Sequence, residues 1–368
     1  MTREEKFMRR ALELARRAQE RTWPNPMVGA VVVKQGRIVG EGYHHRAGLP
    51  HAEVNAIEEA GPAARGADLY VTLEPCHCWG RTGPCSAAIK AAGIKRVFVG
   101  TLDPNPRERG KGLRCLRRLQ VEVRAGILEK ECRRLNQVYN VFIVEKRPFV
   151  LVKAAVSLDG RLATSKGDAR WLSGEAALVY AHRLRARAQA VMIGARTAQL
   201  DDPALDVRLV AGRDPDVVLV DSRLSLAPEA KIFRVKSRRR IFVYCSSLAK
   251  ARKRRELERA GAFVIPCPAR GGRLDLEWIL HHLFQHGIYL LLVEGGGKII
   301  GSLLERRLVD RMEIIVTGFI LGQQAVPLAA LSTSPKLADC PRLQDISFRR
   351  LGGDILVCGY PLYRGRGK

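Results

Sequence analysis

Hydrophobic residues recur along this chain with two different periods. Short apolar runs rich in Val, Ile and Leu occupy residues 28–43, 68–73 and 96–100, the first of them folding back at Gln35-Gly36. That composition and length predict β-strands, with the glycine turn closing a hairpin. Between these runs, apolar positions spaced by three and four residues predict helices. Thr2 and Glu5 fit a capping box ahead of Phe7, Ala11, Leu12, Leu14 and Ala15, which approximate one apolar face. His51-Ala52-Glu53 opens a second helical stretch, and Pro84-Cys85 opens a third over residues 86–92. Strands alternating with helices imply a layered α/β domain.

The pattern pauses at Glu145-Lys146-Arg147-Pro148 and restarts with an apolar strand over residues 149–156. A proline flanked by charge at the head of a strand is boundary chemistry, so two domains are expected, 1–146 and 147–368. The second segment alternates again. Strands are predicted at 190–194, 217–220, 240–244, 262–265 and 289–293, with closing strands near 311–316 and 355–360. Helices are predicted at 174–187, 250–260, 276–285 and 298–306.

A length of 368 residues agrees with two domains. No apolar run approaches the ~20 residues that span a bilayer. Charges at Arg3, Glu4, Glu5 and Lys6 stand where a signal peptide needs its apolar core, so a cytoplasmic protein is expected. Nine cysteines, an odd number scattered over a long chain, read as thiols in a reducing compartment. The excess of 63 Lys and Arg over 37 Asp and Glu gives +26, which favours anionic partners, either nucleic acid or phosphorylated small molecules. The densest basic runs, 234–240 and 250–255, carry no interleaved aromatics to stack on bases. They are expected to be solvated edges, and no nucleic-acid or membrane partner is expected.

Candidate chemistry concentrates between His51 and Cys85. His51-Ala-Glu53 is followed by Glu74-Pro75-Cys76 and then Pro84-Cys85. One imidazole and two thiolates suit zinc, and three protein ligands leave a coordination position open, the catalytic pattern. Zinc lowers the pKa of bound water toward ~7, and a carboxylate two residues after the histidine, Glu53, can relay protons. The alternative is a buried histidine with two core cysteines. A second candidate is Glu294-Gly-Gly-Gly-Lys298-Ile-Ile-Gly301, a strand end running through glycines into a helix. Glycines let a ligand approach the backbone, and helix-start amides can cradle a phosphate, although a bare structural turn explains the stretch equally well. The dinucleotide fingerprint is absent from its required strand context, which argues against a Rossmann domain.

The long Cys76–Cys85 insert, Pro24-Asn25-Pro26 and His44 ahead of His51 together resemble the bifunctional deaminase–reductases of riboflavin biosynthesis. In the second half, Lys153-Ala-Ala-Val-Ser-Leu-Asp-Gly160, Leu184-Arg185, Gly194-Ala-Arg-Thr197 and Asp201-Asp202-Pro-Ala-Leu-Asp-Val-Arg208 extend that resemblance over nearly the whole chain. It implies an α/β protein with an N-terminal cytidine-deaminase-like α/β/α domain followed by a dihydrofolate-reductase-like α/β domain. It also implies Zn2+ on His51, Cys76 and Cys85, and NADPH in the second domain. Catalytic roles are implied for Glu53, Lys153, Asp201 and Glu294. Asn25, His44, Arg81, Arg185, Leu205, Arg208 and Glu294 would hold a phosphorylated pyrimidine substrate. Ala155, Trp171, Thr197, Asp201, Ser222, Gly296, Gly297, Lys298 and Gly301 would surround the cofactor. A homo-oligomer, dimer or tetramer, is expected on the same ground. The chain departs from the family pattern at His77-Cys78, where Ser-His is usual, at Gly83 for Pro, and at Ala169 for Ser. Rival readings are a nucleic-acid base deaminase with an appended domain, and a family member with one inactive half.

Overall fold

The computed structural model describes residues 1–18, 21–80, 83–169, 172–331 and 336–363. The chain divides into two units, Met1–Lys146 and Arg147–Lys368.

The first unit opens with α1 (Arg3–Arg16), where Thr2 and Glu5 complete a reciprocal capping box. Strands β1 (Gly29–Lys34), β2 (Arg37–Tyr43), β3 (Asp68–Leu73), β4 (Arg96–Thr101) and β5 (Glu122–Ala125) form one sheet in the order β2-β1-β3-β4-β5. The β1 pairings are antiparallel, and β3, β4 and β5 run parallel. Helices α2 (Ala52–Ala60), α3 (Cys85–Ala91) and α4 (Lys111–Arg118) cover one face over Ala30, Val32, Leu69, Val71, Val97 and Val99. The opposite face, with Val31, Val33, Tyr70 and Phe98, packs on Phe7, Met8, Ala11 and Leu12 of α1. Packing on both faces explains why β3 is buried at every position, Asp68 and Thr72 included. Gly42 lets α2 lie against β2, since a Cβ there would stand 2.4 Å from the carbonyl oxygen of Ala52. Two helices close the unit, α5 (Glu129–Leu135) and α6 (Gln137–Glu145).

The second unit is built on a sheet of nine strands. In chain order its elements are β6 (Phe149–Val156), α7 (Glu175–Arg187), β7 (Ala190–Gly194), α8 (Ala195–Asp201), β8 (Asp216–Val220) and β9 (Ile241–Ser246). They continue with α9 (Ala251–Arg259), β10 (Phe263–Cys267), α10 (Leu276–Gln285), β11 (Leu290–Val293) and α11 (Gly297–Glu305). The last three strands are β12 (Arg311–Val316), β13 (Arg342–Leu351) and β14 (Asp354–Leu362). The sheet order is β10-β9-β8-β7-β11-β6-β12-β14-β13, parallel from β10 through β12, with β14 antiparallel to both neighbours. Ile279, Leu280 and Leu283 of α10 and Ile300, Leu303 and Leu304 of α11 pack on Val150, Met192, Phe242, Leu291 and Val293.

The basic run at 250–255 lies mostly in α9, which buries Leu257 and pairs Arg252 with Glu256 and Arg254 with Glu258 one turn on. Among the described residues, no helix is long and apolar enough to cross a membrane.

Candidate active sites

In the first unit, three elements bring the donor atoms together. His51 is the residue before α2, Cys85 is the first residue of α3, and Cys76 follows β3 in the connecting loop. His51 Nδ1 lies 3.1 Å from Cys85 Sγ and 3.6 Å from Cys76 Sγ. Donors around a tetrahedral zinc, bonded at ~2.0 Å for N and ~2.3 Å for S, stand ~3.5 Å apart, so these three fit the ion. The Cys85 backbone N–H points at Cys76 Sγ at 3.3 Å. Hydrogen bonding, first from Cys85 and then from His51, holds the Cys76 thiol well below its ordinary range against the opposing effect of burial. The metal-ready thiolate is therefore already favoured by its surroundings.

Glu53 sits in the first turn of α2, 3 % exposed, and burial pushes its carboxyl up to about 7. A carboxyl balanced between its two protonation states is suited to moving protons. His44 stands beside this group, its ring edge-on to that of His51 at 5.3 Å between centroids. Its Nδ1 is 3.1 Å from the Pro50 carbonyl, and its Nε2 is 3.1 Å from the Asn25 side-chain amide. Donation from Nδ1–H to Pro50 leaves Nε2 to accept from Asn25, and burial favours this neutral ring. Asn25 and His44 thus converge beside the donors.

Two supports went unread in the sequence. Buried Glu74 accepts backbone N–H groups from Asp103, Gly110 and Leu113, tying the end of β3 to the start of α4. Its position at a strand end before Pro-Cys was the available signal. Buried Asn136 brackets Met27, accepting from its N–H and donating to its carbonyl, each at 2.8 Å, and so fixes the segment carrying Asn25. No local pattern announces that contact.

In the second unit a cleft of about 1210 Å³ opens beyond the carboxyl ends of the parallel strands. Such crevices are where open α/β sheets bind ligands. Lys153, Asp201, Arg208 and Glu294 line it, as do Ala155, Thr197 and Ser222. Gly296, Gly297 and Lys298 bring the start of α11 to the same wall. Gly301 does not line the cleft; a Cβ there would stand 2.3 Å from the Ala330 carbonyl oxygen, so chain packing accounts for this glycine. Leu205 is likewise absent from the lining and is buried, with its carbonyl accepting from Arg239. Arg81 and Trp171 lie outside the described residues.

Arg185 and Glu294 meet each other. The guanidinium forks onto the carboxylate with two bonds of 2.7 Å, and both side chains are nearly buried. Burial works to raise the Glu294 pKa, but Arg185, with help from Lys153, overcomes it and holds the carboxyl down at about 2. Burial lowers the pKa of the half-buried Lys153, with Glu294 opposing. Arg185 is therefore engaged as a counter-charge. Arg208, 61 % exposed and paired with Asp206, reaches toward solvent at the cleft.

Residues 1–101 match the cytidine and deoxycytidylate deaminase zinc-binding region, and residues 148–357 match the RibD C-terminal domain. The riboflavin biosynthesis protein RibD of Aquifex aeolicus is 42% identical over 318 residues, covering 86% of this chain and 87% of the relative. This chain belongs to the RibD family. RibD of Escherichia coli (strain K12) is 36% identical over 367 residues, covering 96% and 98% of the two chains. Acinetobacter baumannii RibD, form 1, superposes with a TM-score of 0.83 at 35% identity, covering 98% of this chain and 99% of its own. A deaminase/reductase from Thermotoga maritima, described as acting on diaminohydroxyphosphoribosylaminopyrimidine and 5-amino-6-(5-phosphoribosylamino)uracil, gives 0.82 at 34% identity with the same coverage.

Membership in RibD makes the first unit a cytidine-deaminase-type domain with a zinc-binding region, and the second a dihydrofolate-reductase-like domain. The departure at His77-Cys78 leaves the His51, Cys76 and Cys85 group intact. Cys78 Sγ turns to Glu108 at 3.3 Å and is not part of the His51, Cys76 and Cys85 group.

Proposed function

We propose that this chain is a bifunctional riboflavin-biosynthesis enzyme, with a zinc-dependent deaminase in its first unit and an NADPH-dependent reductase in its second. The observation that carries the reading is the convergence of His51, Cys76 and Cys85 beside a buried, proton-poised Glu53. Family membership over both units supports it.

In the first reaction the exocyclic 2-amino group of 2,5-diamino-6-ribosylamino-4(3H)-pyrimidinone 5′-phosphate is exchanged for oxygen. A C–O bond forms from water, and the C–N bond breaks to release ammonia. Zinc held by His51, Cys76 and Cys85 supplies Lewis-acid activation of water at neutral pH. Glu53 takes a proton from the attacking water and passes protons to the ring nitrogen and the departing amine, which its raised pKa favours. Asn25 offers both donor and acceptor to a ring edge, with His44 setting its orientation.

The second reaction reduces the ribosyl carbon of 5-amino-6-(5-phosphoribosylamino)uracil to a ribityl chain. NADPH in the cleft supplies hydride. The start of α11 offers backbone amides to a cofactor phosphate. Lys153 is a ready proton donor because burial destabilises its ammonium, and Glu294 keeps it charged until transfer. Arg208 is the guanidinium available to the substrate phosphate. The enzyme is taken to act in the cytoplasm as a dimer or tetramer on phosphorylated small molecules.

Purified protein given the pyrimidine phosphate should release ammonia before any NADPH is consumed, and then oxidise NADPH in preference to NADH. Chelation should stop the first signal. Oxidation of NADPH by the separately supplied uracil substrate should survive chelation. Absence of either activity would refute the bifunctional reading, and equal rates with NADH would refute the cofactor assignment.

A further inference from the structure

The loop that departs from the family pattern carries a second set of donors. His77 Nδ1 lies 3.0 Å from Glu108 Oε2, and Cys78 Sγ lies 3.3 Å from Glu108 Oε1. One ligand atom from each of the three residues falls within 4.8 Å of the others. We propose that His77, Cys78 and Glu108 form a second zinc site, separate from the His51, Cys76 and Cys85 centre.

Three observations converge on an ion. First, the donor set is an imidazole, a thiol and a carboxylate, a borderline N/S/O mixture that suits zinc and other late divalent first-row metals. Its spacings are close to the 3.1 and 3.6 Å that separate the imidazole nitrogen from the two sulfurs in the first centre. Second, His77 Nδ1 and Glu108 Oε2 are both buried atoms with no hydrogen-bond partner, although each faces the other. Buried polar atoms are nearly always satisfied, and a shared cation would satisfy both. Third, the acceptor side is held in place beforehand. The Glu108 N–H donates to the Asn105 carbonyl, the Gly110 N–H donates to Glu74, and the Asn105 N–H donates to Asp103. These contacts set Glu108 in a braced turn, which lowers the ordering cost of binding.

The local field also favours a cation. Glu74 and Asp103 stand close by, and Asp103 feels the charge of both Glu74 and Glu108. The neighbouring Arg107 and Arg109 are exposed. Cys78 is two residues from Cys76, so the two centres sit within ~7 Å of chain of each other. Cys78 nonetheless turns to Glu108, and the two groups share no ligand. Water completes the coordination, since Cys78 is exposed. The bound ion would link the loop after β3 to the turn before α4. This assignment does not depend on the reaction proposed above.

The test is a metal count on the full chain, stripped with chelator under a thiol-free reductant and then dialysed against limiting and excess Zn2+. The parent should retain two zinc per chain in excess metal, the second released first on dilution. Cys78→Ser and Glu108→Gln should each retain one, and that remaining equivalent shows the first unit still folded. Substituted cobalt should show thiolate-to-metal absorption from both centres in the parent, reduced in Cys78→Ser. His51→Ala should weaken the first equivalent and keep the second, so failure of the catalytic-centre reading is seen separately. A single equivalent in the parent would overturn the proposal. So would two equivalents in Glu108→Gln, or loss of both in Cys78→Ser alone, which would assign Cys78 to the first centre.

Discussion

Replacing Glu294 with Gln removes the counter-charge from a nearly buried guanidinium. Arg185 keeps its position but loses one of two 2.7 Å charged bonds and the charge of the other. Breaking a buried pair by removing one partner typically costs ~3–5 kcal/mol, because the remaining ion stays desolvated. The lowered pKa of Glu294 points to a cost of the same order. Arg185 holds the carboxyl at about 2 rather than the ordinary 4.5, and that difference corresponds to about 3 kcal/mol. A unit the size of Arg147–Lys368 loses roughly 2–4 °C of Tm per kcal/mol, so a fall of about 6–12 °C is expected in its thermal transition.

The pH dependence follows with a definite sign. Because the folded pKa is depressed, the contribution is complete above about 4.5 and disappears as pH falls toward about 2. In that window the unfolded chain binds the proton that the folded chain refuses. The difference in stability between parent and Glu294→Gln, measured by urea unfolding, should therefore shrink between pH 5 and 2. Adding Arg185→Met to Glu294→Gln should restore part of the loss, since an apolar pair of similar size needs no counter-charge. Parallel pH–stability curves would refute the reasoning. So would an Arg185→Lys variant that raises KM with an unchanged Tm, because Arg185 would then serve substrate rather than Glu294.

Two further outcomes are expected. Glu53→Gln should lower ammonia release by at least ~10²-fold while zinc content stays the same, and normal deamination would remove Glu53 from the proton relay. Gly112→Ala should cost ~1–3 kcal/mol by overpacking and weaken zinc retention against a competing chelator, since its Cβ would stand 1.9 Å from the Pro75 carbonyl oxygen, one residue before Cys76. Unchanged Tm and zinc retention would show that α4 does not brace the first centre.

Strands buried along most of their length are the ones whose limits the sequence marks most closely. The runs at 68–73, 149–156, 190–194 and 311–316 are observed as β3, β6, β7 and β12 with those same limits. Strand β13 was not read, because its Ile346 and Phe348 are exposed, 58% and 79%, on an edge where no burial pattern marks them. Helices α4, α5 and α6 also went unread; α5 and α4 are short and strongly charged, and α6 is apolar on most sides. The grouping of His51, Cys76 and Cys85 was legible because their residue types are rare and their spacing is specific. What sequence spacing cannot show is pairing across the fold. The resemblance makes substrate contacts of both Arg185 and Glu294, whereas the fold joins the two charges to each other. Gly301 looked like part of a phosphate cradle, while its neighbour across space is Ala330. Glu108 carried no signal at all, since its partners His77 and Cys78 are thirty residues away.

Glu74 has a consequence for how freely this enzyme can vary. By gathering three amides from the far side of the loop, it anchors the last residues of β3, while Cys85 is anchored by helix α3. The two thiols are thus mounted on fixed pegs, one at each end of the span that joins them. Substitutions in that span, His77-Cys78 and Gly83 among them, can remodel what the loop touches without loosening the pegs. A lineage is then free to rewrite substrate contacts, or acquire a new ligand, and still keep its hydrolytic centre.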